Sequence, residues 1–156
     1  MHNKIYRESQ SFVTWWLLLL LFVLISVEAF DSYSFYQEHG TWEFSVGIYI
    51  IIGVALATSF MRLQTIIDDD GIEITFIPFA YKKKWNWDDI GQSYIRTYGL
   101  MDFGGWGYRI SGEGKAYNTK GKYGVQLVLK NGSRIMIGTQ CPEEIKTYLK
   151  KSDENL

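Results

Sequence analysis

VQLVLKNGSRIMIG, residues 125–138, is the stretch that decides the fold. Two branched apolar runs flank Asn131-Gly132, the composition of a β-hairpin. Its register follows from which residues must share a face. A two-residue Asn-Gly loop would set Leu127 opposite Met136, with Val125, Leu127 and Leu129 on the opposite face from Ile135 and Ile137. A three-residue loop over 130–132, with Gly132 left-handed in a G1 bulge, pairs Leu127 with Ile135 and Val125 with Ile137. That register gathers the branched residues on one face, and a one-residue slip would invert it. The bulged hairpin is therefore expected.

Working outward, the chain from residue 63 onward is punctuated like a β domain. Residues 64–68 (QTIID) suit a strand, Asp69-Asp70-Gly71 a turn, and 72–79 (IEITFIPF) a half-buried strand. Pro78 marks an edge or a bend there. Residues 82–87 and 92–98 are further strands, separated by a turn at Asp88-Asp89-Ile90-Gly91. In the glycine-rich stretch 99–124, short strands are expected at 108–111 and 115–118. The chain closes on an amphipathic helix over 141–151. Pro142 suits its first position, Glu143 and Glu144 its N-terminal end, and Lys146, Lys150 and Lys151 its C-terminal end. Ile145, Tyr148 and Leu149 form its apolar stripe.

The N-terminal part reads differently. Residues 12–27 (FVTWWLLLLLFVLISV) and 44–61 (FSVGIYIIIGVALATSFM) carry no charge. Each is nearly long enough to span a bilayer, and Trp15, Trp16, Tyr33, Tyr36 and Trp42 suit its interfaces. Lys4, Arg7 and Arg62 flank the outer ends of this pair. The loop between holds Glu28, Asp31, Glu38 and Glu43 and no Lys or Arg. The positive-inside rule places both termini in the cytoplasm. A signal peptide ending near Val27-Glu28-Ala29 is the alternative for the first segment, and a retained helix is favoured. Either way the C-terminal domain is cytoplasmic. Small residues (Gly47, Gly53, Ala55, Ala57, Ser59) would let a partner helix approach the second segment closely. With no charge inside either span, an ion path is not expected.

The organisation expected is thus residues 1–62 as an N-terminal tail and transmembrane helical hairpin, with helices about 12–28 and 44–61, and 63–156 as the cytoplasmic domain. The 156 residues hold 16 basic and 17 acidic side chains, a balance that does not suit nucleic acid. Cys141 is the single cysteine and reads as a capping or packing residue, since no disulfide or zinc cluster can be built on one thiol. His2 and His39, read as lying in a tail and a loop, fit no catalytic or metal-binding spacing.

About seven strands followed by one helix is the order of a pleckstrin-homology (PH)-like barrel. The membrane pair, Asp70-Gly71-Ile72-Glu73-Ile74, Trp87-Asp88-Asp89-Ile90, GGWGYR at 104–109 and NGSRIMIGTQCPEE at 131–144 together resemble bacterial PH-domain membrane proteins of uncharacterised function. The resemblance implies an α+β fold: a two-helix transmembrane hairpin, then a PH-like β-barrel of two packed sheets with a C-terminal capping helix. It implies no catalytic set. Many PH domains bind phosphoinositides through basic residues in the first hairpin loop. Here that loop, Asp68-Asp69-Asp70-Gly71, is acidic, so those roles are not carried over.

Two clusters remain as site candidates. Lys82, Lys83 and Lys84 form the only tight basic run, a candidate contact for anionic lipid, or else a protected strand edge. Phe103 and Trp106 are candidates for a partner-binding loop. The glycines at 104–107 lack both the dinucleotide fingerprint and a Walker lysine, and fit turns better. Adjacent acids at 68–70 and 88–89 make poor chelates in extended chain, because neighbours point to opposite faces. The expected function is a non-enzymatic, membrane-anchored interaction module in a bacterial plasma membrane. Its partners would be the bilayer and either another protein or a second copy, with no cofactor, metal, nucleic acid or small-molecule substrate.

Overall fold

The computed structural model describes residues 5–99, 107–112 and 114–149. The chain divides into two units, and the division is not N-terminal against C-terminal. One unit comprises Met1–Ser11 together with Arg62–Leu156; the other is the inserted segment Phe12–Met61.

In the inserted segment, α1 (Trp15–His39) runs 25 residues and α2 (Val46–Phe60) runs 15. By length and composition α1 alone among the described helices is long and apolar enough to cross a membrane, and α2 is a shorter apolar helix. The acids expected in a loop lie differently. Glu28, Asp31 and Glu38 are helical and His39 is the last residue of α1, leaving Glu43 in the connection. The helix continues because nothing after Val27 breaks it until Gly40. That glycine takes a left-handed φ of 72° and donates its N–H to the Tyr36 carbonyl, a glycine-ended helix. Ser45 caps α2, accepting from the Gly47 N–H, and its hydroxyl also donates to Glu28. At the base, the Phe12 N–H donates to the Met61 carbonyl at 3.1 Å.

The other unit holds nine strands among the described residues, in two sheets. Sheet A has the order β1-β2-β3-β4, from β1 (Tyr6–Ser11), β2 (Arg62–Ile67), β3 (Gly71–Ile77) and β4 (Ala80–Asn86). Sheet B has the order β5-β8-β9-β7-β6. Its strands are β5 (Ile90–Thr97), β6 (Gly107–Ser111), β7 (Gly114–Asn118), β8 (Tyr123–Leu129) and β9 (Arg134–Thr139). All pairings are antiparallel except β7 with β9. The expected closed barrel does not form. Sheet A ends at β4 and sheet B begins at β5, with a 3-10 turn (Trp87–Asp89) between them and no ladder joining the two.

The hairpin of β8 and β9 takes the bulged register. Val125 pairs with Ile137 and Leu127 with Ile135, and Gly132 has a φ of 83°. Its N–H reaches the Leu129 carbonyl at 2.9 Å. Alternation then builds the core. Leu63, Thr65 and Ile67 of β2 and Ile72, Ile74 and Phe76 of β3 are buried from sheet A. Val125, Leu127, Ile135 and Ile137 are buried from sheet B.

Strand β1 is the element that differs most from the sequence expectation of a tail before residue 12. Tyr6 pairs with Ile67 and Ser11 with Arg62, so the strand before the helices completes the sheet that resumes after them. Its polar alternation makes sense once sheet B is in place. Gln10 donates to the Gly138 carbonyl, while Glu8 accepts from the Thr139 hydroxyl and the Gln140 N–H, each at 2.7 Å. Helix α3 (Pro142–Lys146) is shorter than expected and buries Ile145 against β5 and β8; Tyr148 beyond it packs on Tyr6.

Candidate functional site

The structure divides the basic run of β4 three ways. Lys84 lies opposite Glu73 and pairs with Asp68 (3.6 Å) and Asp70 (3.4 Å). Lys83, opposite Ile74, belongs to the inner face: its Nζ donates to the Tyr117 hydroxyl at 3.1 Å and sits 5.6 Å from that ring's centre. Lys82 sits in the bulge that offsets β4 from β3. Its φ of 45° is in the left-handed region, and its ammonium lies over Tyr81. One strand cannot aim three consecutive side chains at one ligand, because successive residues alternate in direction.

The electrostatics follow these partners. The hydrogen bond to Tyr117 raises the Lys83 ammonium above its usual range, against a smaller opposing effect of burial. Desolvation alone would lower Lys84, but the Asp70 and Asp68 carboxylates outweigh it and hold that group high as well. At Asp68, burial is outweighed by the Gly71 and Asp70 N–H groups and then by Lys84, so its carboxyl is held below the ordinary range. Asp68 is thus a turn residue, its Oδ1 accepting at 2.9 Å and 3.0 Å. Among the described residues, no group of three or more His, Cys, Asp or Glu is placed to hold a metal ion.

What Lys83 does join is a cleft where sheet A stops short of covering sheet B. A run of rings closes one end: Phe79 on Tyr108 (6.2 Å), Tyr108 on Tyr117 (5.1 Å) and Trp85 on Tyr117 (6.3 Å). Beyond them Ile110, on edge strand β6, is 68% exposed, while Ile135 at the floor is buried. Two adjoining hollows, about 630 and 230 Å³, share Trp85, Lys115 and Ile135. The larger also meets Arg134, Ser133 and Leu129. Lys83 and Lys115 thus stand on the same side as Ile135, while Arg134, on the other side of β9 by alternation, borders the larger hollow. No carboxylate lines the cleft among the described residues; Glu113 lies outside them.

The run at 82–84 is visible in the sequence, whereas Lys115 and Arg134 are isolated cations there. Only the parallel pairing of β7 with β9, setting Lys115 beside Ile135, brings them together. A neighbouring recess has the opposite character, lined by Asp69, Asp70, Asp88 and Asp89 with Lys84. Phe103 and Trp106 lie outside the described residues. Cys141 is exposed and stands just before α3 without a side-chain capping bond.

Compared with protein-family models, curated proteins and solved structures, the chain matches none.

Proposed function

We propose that this chain is a membrane-anchored, non-enzymatic interaction module, with a PH-like domain held at the cytoplasmic face by α1 and α2. The observation that carries this reading is the pairing of Ser11 with Arg62. Paired residues sit about 5 Å apart. The two ends of the inserted segment therefore lie side by side and share one side of any bilayer. If α1 crosses, α2 must cross back. At 1.5 Å per residue α1 is roughly 37 Å long and α2 about 22 Å. Phe44, Ser45 and Met61 extend the shorter apolar stretch, and local thinning of the bilayer can absorb the remainder.

Exposure supports the same reading. Leu18, Leu19, Phe22, Val23, Ile25 and Phe30 of α1 are all exposed, as are Tyr49, Ile50, Val54 and Leu56 of α2. Contiguous apolar surface on this scale suits lipid, not water. Arg7 and Arg62 at the base, against Glu38 and Glu43 at the far end, favour a cytoplasmic domain. The β1 pairing also favours retention of α1, since cleavage after Ala29 would strip sheet A of an edge strand. Two sheets facing each other, followed by a C-terminal helix, support the PH-like reading in outline.

The test is labelling of single cysteines in a Cys141→Ser background with a membrane-impermeant maleimide on intact cells. Position 41 should label from outside, while positions 8 and 131 should label only after lysis. Labelling of position 131 from outside, or recovery of a chain beginning near residue 30, would reject the topology.

A further inference from the structure

We infer that the cleft between β4 and strands β6, β7 and β9 is a docking groove for an extended acidic segment of a partner protein. This rests on reading the domain as an interaction module, and names where and what it binds.

Charge comes first. Lys115 and Arg134 line the cleft and form no ion pair among the described residues, and Lys83 is held by a neutral phenol. Lys83 and Lys115 within the cleft and Arg134 at its margin, with no described carboxylate lining it, complement an anionic partner. Spacing comes second. Lys83 is fixed at Tyr117, two residues along β7 from Lys115. Alternate residues of a strand lie about 6.6 Å apart, which is also the repeat of same-face side chains in an extended peptide. Glutamates or aspartates at alternate positions would therefore meet successive cations. A single small anion would not.

Edges come third. Among the described residues β6 is one edge strand of sheet B and β4 one of sheet A, and both contribute residues to the cleft. An open strand edge offers main-chain pairing to an extended chain. Ile110, Trp85 and Leu129 supply apolar contact for one or two uncharged side chains between the acids.

The experiment uses the full chain in nanodiscs of neutral lipid. Random 12-residue peptides are selected by phage display on the wild type and on Lys115→Glu/Arg134→Glu. The wild type should enrich peptides with Asp or Glu at alternate positions, binding them more weakly as salt rises. The double variant should bind those peptides about tenfold or more weakly, the scale of losing close interfacial charge pairs. Lys115→Gln and Ile110→Asp, made singly with thermal unfolding checked, should each weaken binding while leaving the unfolding temperature within a few degrees. No enrichment, enrichment without acids, or peptides indifferent to Lys115 and Arg134 would overturn the assignment. The last outcome would leave an interaction module that binds through another face. Binding to anionic vesicles that depends on the same two cations, without peptide enrichment, would overturn it in favour of a lipid surface.

Discussion

The side-chain amide of Gln10 donates to the backbone carbonyl of Gly138 at 2.7 Å, joining the strand that precedes the apolar helices to one near the end of the chain. Gln10 is 3% exposed, and its own carbonyl accepts from the buried Thr119 hydroxyl at 3.0 Å. Two buried polar groups therefore depend on one side chain. Gln10→Ala should destabilise the domain by about 1–3 kcal/mol, the cost of leaving buried partners unsatisfied. Gln10→Glu should be at least as harmful, since it places a carboxylate against a carbonyl. Chemical denaturation of the detergent-solubilised chain, followed by near-UV circular dichroism, reads both.

A second prediction concerns the inserted segment. Because Ser11 and Arg62 are already partners, Phe12–Met61 should be replaceable by a short Asn-Gly turn, giving a water-soluble domain with cooperative unfolding. Residues 62–156 alone should aggregate or unfold without a clear transition. Sheet A would then expose the unpaired edge of β2, and Glu8 and Gln10 would be gone. Comparing the two by sedimentation and thermal melting decides the point.

Tyr6 gives a pH dependence with a definite sign. Burial pushes its hydroxyl well above the ordinary tyrosine range, and the hydrogen bond to Glu8 and that residue's charge push further the same way. A folded-state pKa raised above the unfolded one stabilises fully below about pH 10, and the benefit is lost as pH climbs beyond that. Stability should fall through the alkaline range, and Tyr6→Phe should flatten that fall. Asp68 acts in the opposite direction. Its carboxyl is lowered, so its contribution is present above about pH 4 and lost as pH drops further, and Asp68→Asn should remove it.

Backbone conformation separates three more substitutions. Gly132 is left-handed with open space where a Cβ would go, so Gly132→Ala should cost only about 1 kcal/mol. Gly114 has a φ of 112°, and a Cβ there would meet the Arg134 carbonyl oxygen at 2.2 Å, so Gly114→Ala should cost distinctly more. Lys82 already occupies a conformation that suits glycine, and Lys82→Gly should stabilise by up to about 1 kcal/mol. Equilibrium unfolding of the three variants ranks them.

The sequence revealed what local chemistry determines. Asn131-Gly132 and the alternation around it were enough for the register of β8 and β9, because a wrong register would have turned Ile135 and Ile137 outward. The end of α1 is hidden because Glu28 and Asp31 look like loop residues, whereas only Gly40 terminates the helix. Strand β1 is hidden for a different reason. YRESQS looks like a polar tail, and its alternation becomes meaningful only when Gly138, Thr139 and Gln140 arrive from far along the chain to receive it. The cleft was half visible: Lys83 stood in an obvious run, but its companions Lys115 and Arg134 are joined to it by topology alone.

Strand β1 also sets an order of events during synthesis. It leaves the ribosome before either apolar helix, yet its partner β2 does not exist until both have been made. Until then its polar side chains have nothing to bond, and sheet A cannot close. Under the proposed two-span topology, closure requires that the chain has returned to the side from which it departed. A chain whose second helix failed to come back would then hold β1 and β2 on opposite sides of the bilayer, with sheet A unable to form.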